Sequence, residues 1–77
     1  MDRRELFTLL RGSGVAESEL WIEGVHEPRM PPTEFLFLRK GTQGWDTGVA
    51  ERGEWHVIAT SPDEDTACAR LLRLAQP

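Results

Sequence analysis

The 77 residues leave room for one small domain, residues 1–77, and a chain this short buries only about 60% of its unfolded surface, so large catalytic clefts are not expected. Thirteen acidic against nine basic residues give a net charge of −4, which argues against a nucleic-acid binder relying on phosphate neutralisation and favours a basic protein partner. Cys68 is the single cysteine, so neither an internal disulfide nor a thiolate metal cage can form, and no apolar run reaches membrane-spanning length; the cytoplasm is the expected compartment.

Residues 2–11 read as a helix, with Leu6, Leu9 and Leu10 on one stripe, Asp2 and Glu5 at capping-box spacing, and Gly12 as the stop. After the break at Ser13-Gly14 and the polar connection Ala16 to Glu19, the aromatic and β-branched run Leu20 to Val25 reads as a first strand. His26 to Pro32 holds three prolines in five positions, which excludes helix and central strand and leaves an extended loop, long for so small a domain.

The second strand, Glu34 to Arg39, is apolar at both parities, as suits a strand covered on two faces or one that meets a partner. Lys40 to Gly44 turns into a hairpin whose arms are residues 45–50 and 54–60, rich in Trp, Val, Ile and Thr. A two-residue loop at Arg52-Gly53 would mix charged and apolar groups on each face. A turn over Glu51-Arg52 with Gly53 as a bulge instead pairs Val49 with Trp55, Thr47 with Val57 and Trp45 with Ala59, separating an apolar face from a polar one. In that register Trp45 and Trp55 face the helices, and Gly53 decides which side is core.

The last helix is expected from Ser61 as N-cap, with Pro62 in its first position and Glu64 completing a capping box, to about Ala75. Ala67, Leu71 and Leu74 form one apolar stripe, with Cys68, Leu72 and Ala75 beside it. The order αββββα predicts an α+β domain: a two-layer sandwich with a four-stranded antiparallel meander and both helices on one face.

No chemistry is assigned to these residues. His26 with Glu23 and Glu27, and His56 with Asp46 and Glu54, lack the spacing of a metal pair; Cys68 sits on an apolar stripe, where a thiol packs as a small hydrophobe. Ser61 has no histidine and acid at triad spacing, and the short glycine pairs lack a phosphate-binding context. No catalytic residue, metal or cofactor is predicted. Trp21, on an edge strand beside Glu23, has the makings of an interface anchor, because tryptophans dominate binding hot spots. With Glu23, Asp46, Glu51, Arg52, Glu54 and His56 it makes up the predicted partner-binding set.

The pattern W-x3-V-x-E-R-G from Trp45 to Gly53, followed by Ser61-Pro62-Asp63-Glu64-Asp65-Thr66-Ala67-Cys68 and the pair Leu71-Leu72, resembles a family of small bacterial immunity proteins encoded beside secreted polymorphic toxins. The resemblance is clear over the C-terminal third and extends elsewhere only to the order of elements. It implies a non-catalytic protein that neutralises a toxin domain by direct binding in the cytoplasm. The alternative is a small homodimerising domain that uses Phe35-Leu36-Phe37-Leu38 at a sheet edge or face.

Overall fold

The computed structural model describes residues 1–76; Pro77 lies outside them. The order is α1 (Arg3–Gly12), a 3-10 turn (Glu17–Glu19), β1 (Leu20–Ile22), β2 (Glu34–Gly41), β3 (Gly44–Glu51), β4 (Glu54–Ser61) and α2 (Glu64–Leu74). This is an α+β fold with one four-stranded sheet, in the order β1-β2-β3-β4.

The sheet is mixed, not a wholly antiparallel meander. β1 runs parallel to β2, with Leu20 beside Leu36 and Ile22 beside Leu38, whereas β2-β3 and β3-β4 are antiparallel. After Ile22 the chain reverses through a tight turn in which the His26 and Val25 N–H groups both donate to the Ile22 carbonyl, and Gly24 adopts φ 77°. The proline-rich segment then carries the chain back to the start of β2. A parallel neighbour requires such a return, which explains the length of the connection.

The hairpin register also differs from expectation. Glu51 pairs with Glu54, Ala50 with Trp55, Val49 with His56 and Gly48 with Val57, so the loop is the two-residue Arg52-Gly53. Both residues take left-handed φ values, 52° and 83°, as a type I′ turn requires. The Arg52 N–H donates to the Thr33 carbonyl at 2.9 Å, which fastens this strained residue to the entry of β2.

The bulge lies further down, between Thr47 and Gly48, and beyond it Thr47 pairs with Ala59 and Trp45 with Ser61. Gly53 therefore does not decide the faces. The bulge does, and it leaves Ala59 on the helix side while Trp55 and Val57 turn to the other.

Two apolar clusters result. Leu6 and Leu10 of α1, Ala67, Cys68 and Leu71 of α2, and Leu20, Ile22 and Leu38 of the sheet share the larger one, with Trp45 packed against it. Phe35, Phe37 and Ala50 form the second on the opposite sheet face, covered by Trp21 and Trp55. Of the two tryptophans expected under the helices, only Trp45 is there. Phe37 is fully buried with no helix above it, because the Trp55 ring lies 4.8 Å away and the Arg39 guanidinium sits 5.1 Å over the Phe37 ring.

β2 is interior, with β3 along its whole length and β1 along Leu36–Leu38, and Phe35, Phe37 and Leu38 are buried within their own chain.

α1 starts as expected: Asp2 is its N-cap and accepts from the Glu5 N–H at 2.9 Å. The start of α2 is displaced. Ser61 is the buried last residue of β4, held extended by pairing and by the following proline, and Asp63 is the cap, accepting from the Thr66 N–H at 2.7 Å. That bond holds the Asp63 carboxyl below its ordinary range.

Arg3 ties the helices to the sheet. Its backbone N–H and its Nε both donate to Glu64 Oε2 at 2.9 Å, one guanidinium nitrogen donates to the Glu23 carbonyl at 2.6 Å, and the group lies 4.9 Å over Trp45.

A side chain at Gly48 would run into the His56 carbonyl and come within 2.9 Å of the Phe37 ring, whereas one at Gly53 would meet open space. Gly48→Ala is therefore expected to cost about 2 to 3 kcal/mol by overpacking. Gly53→Ala should cost about 1 to 2 kcal/mol, from its left-handed backbone alone. Urea unfolding of the two variants checks the ranking; equal losses would contradict the bulge as the register lock.

Candidate functional site

The type I′ turn and the antiparallel register bring Glu34, Glu51 and Glu54 side by side on three adjacent strands, since Glu51 pairs with both of the others. All three are exposed. With Arg52 and His56 they line a shallow hollow of about 340 Å³ at the hairpin end of the sheet. Glu19 lies beside Glu34 in an adjoining depression with Leu36 and Val49. This end of the molecule is thus an acidic rim around two half-buried aliphatic side chains.

Of the predicted partner-binding set, the fold gathers Glu51, Arg52, Glu54 and His56 and disperses the others. Asp46 pairs with Arg39 and Thr60, on the opposite face from Glu54 and His56, and accepts from the Thr60 hydroxyl at 2.8 Å. The polar face that the bulge at Gly53 would have made from Asp46, Glu54 and His56 does not form, because the two-residue loop sets His56 opposite Val49 and the bulge lies at Gly48.

Trp21 is on an edge strand as expected but is not a free anchor. It packs edge-to-face against Trp55, with centroids 5.1 Å apart, and is half-buried. Glu23 lies by the other end of β2, where its carbonyl holds Arg3 and its carboxylate accepts from the Lys40 N–H at 3.4 Å.

Glu34 was missed although it opens a strand that ends on the same sheet. Its signal was the two-residue loop: once Glu51 opposes Glu54, antiparallel pairing of β2 with β3 over their full lengths places Glu34 in the same row.

The chemistry of the rim is that of open carboxylates. His56 Nε2 lies 3.8 Å from Glu54 Oε2, beyond hydrogen-bond range, and the two side chains are 54% and 80% exposed, so neither is oriented nor shielded from water. Among the described residues, no three His, Cys, Asp or Glu side chains converge on a point where a metal could bind, and no helix is long and apolar enough to cross a membrane.

Cys68 is fully buried, and desolvation, reinforced by Glu64, pushes its thiol up to about 11, which leaves it protonated at neutral pH. His26 stacks on Phe7 with centroids 4.8 Å apart, and its Nε2 meets the Glu17 carbonyl at 2.9 Å, so it serves to pin the loop against α1. No family model, curated protein or solved structure matches the chain.

Like charges directly opposed across strands destabilise a sheet. Glu51, flanked on both sides, should relieve most repulsion when neutralised: Glu51→Gln is expected to raise stability by about 0.2 to 1 kcal/mol. High salt should erase the gain, because these carboxylates are in solvent. Urea titrations at low and high salt measure it, and a loss of stability at low salt would refute the repulsion. For Cys68, an aromatic disulfide reagent should leave the folded thiol unmodified and react fully once the chain is denatured; rapid stoichiometric labelling of the native protein would contradict its burial.

Proposed function

We propose that this chain is a non-catalytic protein-binding module that docks the acidic end of its sheet, Glu34, Glu51 and Glu54 with Arg52 and His56, on a basic surface of a partner protein. The partner class is a toxin domain, neutralised by occlusion in the cytoplasm, in the manner of the immunity proteins that the stretch from Trp45 to Leu72 resembles.

The observation that carries the reading is the row of three carboxylates in register on three strands. Such a row works against the fold that holds it, and nothing in the folded chain requires it; a cationic partner would convert the repulsion into attraction. Two features add support. The rim borders half-buried Leu36 and Val49, which gives a contact surface an apolar centre inside a charged margin. The Arg52 N–H bond to Thr33 and the Trp55 cluster hold the tip in one conformation, which lowers the entropy lost on docking.

The test is a co-purification with the product of the adjacent gene as bait, followed by titration calorimetry. The expected result is a one-to-one complex that Glu51→Lys or Glu54→Lys weakens by about tenfold or more while the free protein stays as stable as before or becomes more so. A complex indifferent to both reversals removes the acidic end as the interface. Absence of binding at about micromolar protein removes the toxin partner.

A further inference from the structure

β4 is the other edge of the sheet, and it is long, with a free outer side. It pairs with β3 alone, and among the described residues no other backbone group bonds to it. Sheet edges of this kind are commonly blunted by lysine, proline or a covering segment. β4 contains no lysine or proline, its single charge is Glu54 at the start, and Val57 and Ile58 are 45% and 58% exposed.

Alongside its second half runs the last turn and a half of α2. Ile58 and Ala59 of the strand and Arg70, Arg73 and Leu74 of the helix line an open groove of about 400 Å³ that reaches in over Thr47 of β3 and ends at Gln76. Among the described residues neither arginine takes part in an ion pair.

We infer that this groove receives an extended, acidic peptide segment of a partner protein, laid along the outer edge of β4 with carboxylates on Arg70 and Arg73. Three features select that occupant. An edge strand supplies main-chain donors and acceptors, which an extended segment satisfies in either direction. The apolar side chains of Ile58 and Leu74 are flanked by two cations on a chain of net charge −4, so the charged groups lining the groove are opposite in sign to the chain as a whole.

The third feature is spacing. Residues three apart on a helix present side chains about 5 to 6 Å apart. Alternate residues of a strand are about 6.6 Å apart and point to one side. A segment with two acidic residues separated by one position can therefore place a carboxylate on each arginine, and arginine binds carboxylates through paired hydrogen bonds. Such a segment is neutral or basic where it passes Glu54.

A second copy of this chain fits less well. Antiparallel β4–β4 pairing about Val57 and Ile58 would set α2 of both copies on the same side of the joined sheet and bring both arginine pairs to one junction. The arginine groove shares no lining residue with the acidic rim, which meets it only through the start of β4, and it stands or falls independently of the toxin reading.

The test uses the full chain and three fluorescein-labelled seven-residue peptides of valine and threonine. One carries two glutamates separated by one residue, one carries two lysines at those positions, and one carries the glutamates adjacent. Anisotropy should show saturable binding of the first, at least tenfold weaker binding of the adjacent-glutamate peptide and none of the lysine peptide. Amide shifts on binding should fall in residues 57–61 and 70–75.

Arg70→Gln and Arg73→Gln, both on exposed positions, should each weaken binding about fivefold or more with an unchanged melting temperature. N-methylation of the backbone nitrogens that face β4 should abolish binding, which separates strand pairing from charge attraction alone. Equal binding of the lysine peptide, absence of saturation with the first peptide, or shifts confined to residues elsewhere would overturn the inference. So would a concentration-dependent dimer that sediments as two chains and shifts the same β4 amides without peptide.

Discussion

The close approach at Gly48 is the constraint on which the rest of the sheet depends. The missing side chain admits the His56 carbonyl and the Phe37 ring together, and the bulge on the facing strand lets Trp55 cross to the side away from the helices. Trp55 then closes over Phe37, edge-on to Trp21 and Phe35, with Arg39 4.9 Å above its ring. A sheet face that no helix covers thus buries its own apolar strand beneath two tryptophans and a guanidinium. The apolar residues at both parities of β2 follow from this, one set serving each cluster.

On the other face the helices are held by polar contacts at one end and by packing along their length. Arg3 reaches Glu64 in α2, the turn after β1 and the Trp45 ring at once, so the start of both helices, the end of β1 and the start of β3 meet at one side chain. Leu6, Leu10, Ala67, Cys68 and Leu71 complete the joint by burial. The polar knot and the acidic rim occupy opposite ends of the sheet, which leaves the hairpin end free of helical cover.

Charge is accordingly segregated. Glutamates of three strands crowd the hairpin end, and two arginines of α2 flank the groove along the β4 edge. A partner that engaged both surfaces would need a basic patch and an acidic extended segment, a requirement that discriminates against proteins of uniform charge. An α+β domain of this size has little room for an enclosed site, and its recognition surfaces are the places where the fold leaves strand edges and carboxylates unsatisfied.

The helices, the order of elements and most of the first core were legible in the chain. Leu6 and Leu10, or Ala67 with Leu71, recur at helical spacing, and Asp2 caps the first helix from three residues before the N–H it satisfies; such signals are local, so the sequence carries them directly. Cys68 as a packed thiol and Glu51-Arg52-Gly53 as a hairpin tip were determined in the same way. Three features needed the tertiary structure: the parallel placement of β1, the bulge at Gly48 and the cap at Asp63 in place of Ser61. Each is a choice between local alternatives of similar energy, and contacts distant in sequence decided it: the return of the proline segment to β2, the fit of Phe37 beneath Trp55, and the pairing of Ser61 with Trp45. The candidate site divides along the same line, since composition gave the acidic residues but only the register, set by one glycine and its neighbouring strands, put Glu34, Glu51 and Glu54 in a row and sent Asp46 to the other face.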